Sequence, residues 1–454
     1  MQEQSTTERT FAVATLGCKV NQADSEHISD QMSAAGFSPR EFTEAADVYI
    51  VNTCTVTHLG DRSSRQMISQ ARRRHPEALL VVTGCYAELN PEGVAALPGV
   101  DLVIGNQAKD SLAEAIQQHQ STQKAEPAPT EVLEELAQHL VPANDFSDEK
   151  ARRILPLLSA SNQHIGNDLM LDSQHIGSDL EVGSDAEPQP ENPARLSPFE
   201  QPQAFSGPRV VPSRTRVQMK VQDGCNNRCT YCIVPYVRGN SRSRSIASVV
   251  DNVKRKVDAG YQEVVLTGIH LGDYHPDAEQ SLDLGDLIAS LLKETSIPRI
   301  RVSSLEPEDF QLEWLHLWQD PRMCRHLHLP MQSGSDLILR KMARHYNSER
   351  YATIITTAKQ LVPGMAISTD IITGFPGETD EDFEQTYQLA RRLEFAKSHV
   401  FRFSPRQGTA AARMRGQVKE DVKKARTERL LELNNEHARI FRQQFVGQQV
   451  SVLM

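Results

Sequence analysis

Short runs of apolar residues alternate with stretches of helical periodicity along the first hundred residues of the chain. The apolar runs have the length of buried strands, and glycine or polar residues follow each of them. This alternation predicts a small α/β domain with a parallel sheet, which we assign to residues 1–108. The predicted strands are Thr10–Leu16, Asp47–Asn52 and Ala78–Thr83, and the predicted helices are Asp24–Ala35 and Ser63–Arg74.

The same alternation returns in residues 209–440, where six apolar runs are separated by amphipathic stretches. Six units of strand and helix predict a partial parallel barrel, a (β/α)6 arrangement rather than the full eight units. The predicted strands are Arg216–Gln222, Glu263–Thr267, Arg299–Ser304, His326–Leu329, Ile367–Ile372 and His399–Phe403. Helical patterns between them include Ile246–Ala259, Leu284–Lys293 and Glu381–Leu393.

Residues 109–208 interrupt both patterns. They are rich in Gln, Ser, Pro, Asp and Glu, and they hold 17 acidic and 6 basic residues. Such a composition buries too little apolar surface to offset the entropy of ordering the chain, so we expect a disordered, flexible acidic insert. The formal net charge of −10 for the 454 residues therefore describes this segment rather than the predicted folded parts.

The charge pattern reverses directly after the insert. Residues 209–244 carry eight basic residues and one acidic residue, Asp223. A basic stripe of this kind is typical of a nucleic-acid-binding surface, and it is equally typical of a solvated face without a partner.

Other global features exclude several classes of protein. The first ten residues are polar and lack the apolar core of a secretory signal, and no apolar run is long enough to cross a membrane. Seven cysteines, an odd number, do not indicate a secreted disulfide scaffold. We therefore expect a cytoplasmic protein without a membrane partner.

Three cysteines stand close together at the start of the predicted barrel. Cys225, Cys229 and Cys232 have C-x3-C-x2-C spacing. Three thiolates this close can ligate an iron–sulfur cluster, and a four-iron cluster would then keep one iron free for another ligand. The alternative is a zinc site, but zinc prefers four ligands, commonly in paired C-x2-C units.

Three further cysteines follow the three predicted strands of the first domain. Cys18, Cys54 and Cys85 are too far apart in sequence for a local metal loop. The carboxyl ends of parallel strands lie along one edge of a sheet, so the fold can bring these thiols together at a second cluster. Their spacing alone is equally compatible with buried cysteines that act as small hydrophobic residues.

Several strings around these cysteines resemble the radical S-adenosylmethionine methylthiotransferases. The loop G-C-N-N-R-C-T-Y-C resembles the radical S-adenosylmethionine signature, with aromatic Tyr231 before the last cysteine. T-L-G-C-K-V-N-Q-A-D-S-E, V-N-T-C-T-V-T and V-T-G-C-Y-A resemble the N-terminal domain of the family. The resemblance implies two [4Fe-4S] clusters, a radical cluster on Cys225, Cys229 and Cys232 and an auxiliary cluster on Cys18, Cys54 and Cys85, with S-adenosylmethionine as cosubstrate.

Strings at the ends of barrel strands match the same family, and they contain our candidates for cosubstrate binding. They are L-T-G-I-H-L-G, S-S-L-E-P, H-L-P-M-Q-S-G-S, D-I-I-T-G-F-P-G-E-T and F-R-F-S-P-R-Q-G-T. Glycine permits close approach of the backbone to a ligand, and polar groups there can bind ribose or methionine. The candidates are Tyr231, Gly268, Glu306, Gln332 and Asp370. Each polar residue among them is also explained as a loop residue that satisfies local backbone. No catalytic residue is assigned beyond the cysteines.

The string K-V-N-Q after Cys18 is similar to the branch of the family that acts on threonylcarbamoyl-adenosine in tRNA. That branch implies transfer of a methylthio group to carbon 2 of the modified adenosine next to the anticodon. It implies the tRNA anticodon loop, a low-potential electron donor such as flavodoxin or ferredoxin, and a sulfur donor of unknown identity as partners. Two other substrates remain open, isopentenyl-adenosine in tRNA and an aspartate of a ribosomal protein. A non-catalytic, zinc-bearing RNA-binding protein is the alternative from another class.

The sequence predicts a charged helix over residues 417–446, followed by a short segment in which apolar and polar residues alternate. Family members continue here into a small RNA-binding β-barrel, the TRAM domain. We expect residues 441–454 to form a truncated stub of that barrel, with its first strand after Gly447.

Overall fold

The computed structural model describes residues 8–56, 58–124, 215–276 and 281–453. Within them the chain forms two α/β units, a small parallel sheet and a partial barrel. The strand and helix classes predicted from the sequence are confirmed in both.

The first domain is built on a five-stranded parallel sheet with the strand order β2-β1-β3-β4-β5. The apolar runs become its central strands, and β3 is buried along its whole length. The strands are β1 (Arg9–Thr15), β2 (Phe37–Pro39), β3 (Val48–Thr53), β4 (Leu79–Gly84) and β5 (Leu102–Ile104). The helices are α1 (Lys19–Ala34), α2 (His58–Arg74), α3 (Cys85–Leu89), α4 (Pro91–Ala95) and α5 (Leu112–Lys124).

The first domain extends beyond the boundary predicted at residue 108. A 3-10 turn at Lys109–Ser111 leads into α5, whose Leu112 and Ile116 are buried in one of the domain's two apolar cores. This helix has few apolar positions, and the residues that follow it are acidic. The prediction from composition therefore placed it in the insert. Residues 125–208 of the predicted insert lie outside the described residues.

The second domain has six parallel strands in two groups of three, β10-β9-β6 and β11-β12-β13. A bridge between Ser304 and His328 joins the two groups into one arc, as expected of a partial barrel. The strands are β6 (Arg216–Lys220), β9 (Glu263–Thr267), β10 (Arg299–Val302), β11 (His326–His328), β12 (Ala366–Thr373) and β13 (Lys397–Arg402). Two short antiparallel strands, β7 (Gln222–Asp223) and β8 (Arg242–Ser243), flank the cysteine loop.

The longer helices of this domain pack on the outer face of the arc, whereas the short helix after Cys232 packs against the first domain. The helices are α6 (Val234–Arg238), α7 (Ile246–Asp258), α8 (Leu284–Glu294), α9 (Asp336–Lys341), α10 (Ser348–Leu361), α11 (Asp380–Leu393), α12 (Ala410–Arg413) and α13 (Glu420–Gln443). Asp283 and Thr379 begin α8 and α11 with capping boxes that satisfy orphan backbone N–H groups. Trp314 and Trp318 are buried in the core, on a 3-10 helix at Leu312–Gln319.

Strand alternation separates two faces of the barrel wall. Val217 and Met219 of β6 lie in the outer apolar core, and so do Ile367 and Ile371 of β12. Gln218 and Lys220 of β6 and Ser368 and Asp370 of β12 therefore face the interior.

The predicted stub at the end of the chain forms no strand. Residues 448–453 have no regular structure, and Val450 and Val452 are exposed. A strand needs a hydrogen-bonded partner, and the described chain offers none there.

Candidate active site

The Cys225, Cys229 and Cys232 loop leaves the barrel after β7. Gly224 begins it with a φ of +73°, and a Cβ at that position would lie 1.9 Å from the carbonyl oxygen of Asn240. Only glycine fits this turn, which fixes where the first cysteine starts. The loop therefore sits at the carboxyl end of β6, at the end of the barrel where such folds place their chemistry.

Two basic side chains that the sequence analysis missed approach the thiols of this loop. Nη1 of Arg344 lies 3.2 Å from Sγ of Cys229, and Nδ1 of His270 lies 3.7 Å from Sγ of Cys225. Burial opposes a proton on His270, but the hydrogen bonds with Asp309 and Cys225 outweigh it and raise its pKa to about 11. Both groups are therefore cationic donors beside sulfur, but burial still raises the pKa of Cys229 against the opposing charge of Arg344. The sequence signal that could have pointed to His270 was the strand-end string L-T-G-I-H-L-G. Gly268 was taken from that string as a candidate for cosubstrate binding, and His270 was not.

The two cations do not offset the burial of these thiols. Burial, with the nearby Cys229 and Cys225, raises the pKa of Cys232 to about 12. A cationic iron cluster would reverse that shift, because a coordinating thiol is deprotonated by the metal. The donor set thus fits a metal cluster.

Cys18, Cys54 and Cys85 follow β1, β3 and β4, which are direct neighbours in the sheet. A Cβ on Gly17 would lie 2.7 Å from Sγ of Cys54, so the first cysteine's loop presses against the second cysteine. Burial raises the pKa of Cys54, and the charges of Cys85 and Cys18 raise it further. The fold thus brings together three thiols that are 36 and 31 residues apart in sequence.

Neither cysteine set has the spacing of a single-ion site. Tetrahedral zinc, with Zn–S distances of about 2.3 Å, holds its sulfurs roughly 4 Å apart. Among the residues described, only His328, Asp370 and His399 bring three ligand atoms within 4.8 Å of one another. The wider separation of the thiols favours a multi-iron cluster over zinc.

The short helix α6 connects the two cysteine sets. It follows Cys232, and Ile233 and Val237 pack directly on Cys85. Nδ2 of Asn106 donates a 2.6 Å hydrogen bond to the carbonyl oxygen of Val237. Arg238, the last residue of α6, is part of a buried ion network between the domains.

That network fixes the first domain on the barrel. Asp24 of α1 contacts Lys109 at 2.8 Å, Lys220 at 2.5 Å and Arg238 at 3.1 Å. Arg238 also reaches Asp223 at 3.2 Å, and its side chain is 1% exposed. Burial alone would raise the pKa of Asp24, but the three cations hold it well below its usual value. Part of the predicted basic stripe is therefore buried in ion pairs rather than available to RNA.

Two predicted cosubstrate residues lie beside the radical-cluster loop. Arg344 pairs with Glu306 and, at 3.2 Å, with Glu308. Tyr231 is packed edge-on against Phe375, and burial raises its pKa well above the usual value. Glu306 is thus already engaged by a guanidinium, while Tyr231 is part of an apolar wall.

Gly268 and Gln332 occupy backbone positions with little room. A Cβ on Gly268 would lie 2.8 Å from Oε1 of Gln222. Gln332 has a φ of +58° and exchanges backbone hydrogen bonds with β12 through Asp370 and Ile372. A non-glycine residue with positive φ is unusual and is typical of functional loops.

Asp370 lies on the inner face of β12. Its Oδ1 is 3.4 Å from Nε2 of His328, and its register partner on β13 is His399. It is therefore separate from the group around Arg344. Cys324 is buried on the barrel and lies in neither cysteine set.

The chain matches known families over most of its length. Residues 10–105 match the model described as uncharacterized protein family UPF0004, and residues 219–390 match the radical SAM superfamily. The chain is 35% identical to the threonylcarbamoyladenosine tRNA methylthiotransferase MtaB of Bacillus subtilis, over 98% of this chain and 84% of that protein. It is 33% identical to MtaB of Aquifex aeolicus, over 98% and 92%. The chain belongs to the radical S-adenosylmethionine methylthiotransferase family.

This methylthiotransferase also resembles a second branch of the family. It is 32% identical to the tRNA-2-methylthio-N(6)-dimethylallyladenosine synthase of Moorella thermoacetica, over 98% of this chain and 87% of that protein. The radical S-adenosylmethionine methyltransferase TsrM of Kitasatospora setae shares its fold, with a TM-score of 0.57 at 15% identity, over 89% of this chain and 74% of TsrM.

The methylthiotransferase is an enzyme of the transferase class, and its cofactors are S-adenosylmethionine and [4Fe-4S] clusters. No helix in the described residues is long and apolar enough to cross a membrane.

Proposed function

We propose that this enzyme transfers a methylthio group to carbon 2 of N6-threonylcarbamoyladenosine, next to the anticodon of tRNA. The observation that carries the proposal is the pairing of two separate three-cysteine sets across one domain interface, connected by α6 and Arg238. The relatives named for this reaction support the choice of substrate, since they match 98% of the chain at 33–35% identity.

We assign the radical cluster to Cys225, Cys229 and Cys232 and the auxiliary cluster to Cys18, Cys54 and Cys85. When bound, these groups supply the one-electron chemistry that activates carbon 2 and the sulfur that is transferred. The chain positions them: Arg344 and His270 donate to the thiols of the first set, and α6 holds Cys85 of the second.

The cosubstrate binds, in this proposal, at the carboxyl ends of the barrel strands near the radical cluster. Tyr231, Gly268, Glu306 and Gln332 stay our candidates there, together with Asp370 on the inner face of β12. A low-potential flavodoxin or ferredoxin would deliver the electron.

Nucleoside mass spectrometry of tRNA from a deletion strain tests the function. Loss of 2-methylthio-N6-threonylcarbamoyladenosine, with restoration by the wild-type gene, is expected. Loss of the 2-methylthio derivative of dimethylallyladenosine instead would assign the enzyme to the second branch. Unchanged tRNA nucleosides would contradict the proposal altogether.

A further inference from the structure

Two histidines and an aspartate come together on three neighbouring strands of the barrel wall. His328 lies on β11, Asp370 lies on β12, and His399 of β13 is the register partner of Asp370. Because side chains alternate along a strand, all three project from the inner face of the sheet. One ligand atom of each residue lies within 4.8 Å of the ligand atoms of the other two. The group is on the half of the arc formed by β11, β12 and β13, whereas the cysteine loop follows the other half.

A hydrogen bond to a neighbouring hydroxyl fixes the tautomer of His328. Nδ1 of the ring lies 2.9 Å from the hydroxyl oxygen of Ser368, and both side chains are buried. The hydroxyl of Ser368 donates its one hydrogen to the carbonyl oxygen of Leu327 at 3.4 Å. It therefore accepts the Nδ1 proton of His328, and this hydrogen-bond network assigns the ring's lone pair to Nε2.

This tautomer leaves two acceptor atoms facing each other. Nε2 of His328 lies 3.4 Å from Oδ1 of Asp370, and neither atom carries a hydrogen when the carboxylate is ionised. Two lone pairs at this distance repel each other unless a cation lies between them. A metal ion with bonds of about 2.1 Å holds two of its ligand atoms roughly 3–3.5 Å apart, which matches the observed separation.

The types of donor atom indicate a transition metal rather than Mg²⁺ or Ca²⁺. Two imidazoles and one carboxylate form a ligand set that suits divalent iron and its neighbours in the first transition row. Mg²⁺ and Ca²⁺ prefer about six to eight oxygen ligands. The next strand of the arc, β10, adds cations instead, because Arg299 and Arg301 share the single carboxylate of Glu263. An ion in this wall is therefore held by coordinate bonds to nitrogen more than by charge.

We propose that His328, Asp370 and His399 bind one divalent transition-metal ion in the barrel interior. Three protein ligands leave further coordination positions, which can take an oxygen or nitrogen ligand from the interior. The site is separate from both cysteine sets, and it does not depend on which nucleoside the enzyme modifies. A carboxylate has two oxygens, so Asp370 can hold the ion and stay a candidate for cosubstrate contact.

Anaerobic equilibrium dialysis of the reconstituted enzyme against Co²⁺, followed by elemental analysis of cobalt and iron, tests the site. Cobalt is distinguished from the iron of the clusters, and zinc is avoided because it competes for thiolates. The variants are Asp370→Asn, His399→Gln and Ser368→Ala. His316→Gln changes an exposed histidine on a 3-10 helix and is the matched control. Iron content per chain verifies that each variant carries its clusters.

The wild type and His316→Gln should bind one cobalt ion per chain with the same affinity. Ser368→Ala should weaken this binding about 10- to 100-fold, since a partner that orients a ligating histidine contributes that much to metal affinity. His399→Gln and Asp370→Asn each lose a ligand or its charge and should weaken the binding further. No saturable cobalt binding in the wild type, or equal binding by the wild type and His399→Gln, would overturn the site. Either result would mean that a proton on His328, rather than a metal ion, lies between the two acceptors.

Discussion

Residues that touch the thiols come from distant parts of the chain. Arg344 follows α9 and contacts Cys229, 115 positions earlier, while His270 follows β9 and contacts Cys225. Cysteine spacing predicted three ligands because these cysteines lie in one loop. Spacing carries no information about a side chain brought in from another strand end, and so both basic residues were missed.

Cys225→Ala should abolish cleavage of S-adenosylmethionine, because two remaining thiolates hold a cluster poorly. The measurement is 5′-deoxyadenosine released anaerobically in the presence of a reductant. Cys324→Ala removes a buried thiol outside both sets and should retain this activity. Parent rates in Cys225→Ala would refute the ligand assignment.

Arg344→Met should destabilise the protein as well as the cluster loop. The side chain is 2% exposed and separates Glu306 from Glu308, so its loss leaves two carboxylates facing each other. Breaking a buried ion pair costs about 3–5 kcal/mol in free energy of unfolding, and we expect urea denaturation to show a loss of this order. Iron content should fall too. Arg340→Met, an exposed neighbour on α9, is the control; equal effects of both would argue against a specific role for Arg344.

Among the elements, α1 carries the interface between the domains. Its Asp24 has a folded-state pKa well below the usual value, so its contribution to stability is present at neutral pH and is lost as the pH falls below the unfolded-state pKa. Asp24→Asn should lower the free energy of unfolding by about 3–5 kcal/mol at pH 7, because Lys109, Lys220 and Arg238 lose their shared anion.

The difference between Asp24→Asn and wild type should shrink as the pH falls below about 4. Urea denaturation of the cluster-free proteins at several pH values measures it. Asp421→Asn, in the exposed first turn of α13, should show no such pH-dependent difference. A constant difference at every pH would mean that the network does not depend on the charge of Asp24.

The auxiliary set separates methylthiolation from simpler radical reactions. A triple Cys18, Cys54 and Cys85→Ala variant should hold about half the parent's iron, since each set ligates one cluster. It should still release 5′-deoxyadenosine but form no methylthio-adenosine in tRNA. Unchanged iron would mean that these cysteines are ordinary core residues.

How far the sequence predicted these elements depends on their length and periodicity. The fully buried apolar strand Glu263–Thr267 was predicted with the observed bounds. The short helix α6 was missed, since five residues beginning at Val234-Pro235 show no helical period. Helix α1 was predicted to begin at Asp24, whereas it begins at Lys19. The first turn gave no apolar signal because its Asn21 is polar and is buried through hydrogen bonds.

At the scale of the whole molecule, the two domains meet through charged and polar groups as well as apolar ones. Lys256 of α7 adds a 3.5 Å contact with Asp30 of α1, beyond the network around Asp24. The interface thus depends on the folded surfaces themselves rather than on the chain that connects them. This explains why a long acidic insertion between residues 124 and 215 is compatible with one joint site.

We therefore expect residues 125–208 to be dispensable for catalysis. Residues 109–208 have low hydrophobicity and hold 17 acidic but only 6 basic residues. This composition predicts that the insert forms no hydrophobic core of its own. Replacing them with a Gly/Ser linker of about 20 residues should retain iron content and methylthio product, because such a linker is flexible enough for the domains to dock. Extending the deletion to residue 109 is the matched comparison: it removes Lys109, Leu112 and Ile116 from the first domain and should cost both iron and product.

Limited proteolysis of the wild type should cut first within 125–208. Loss of cluster binding in the shorter deletion would show instead that the insert contributes to the folded enzyme.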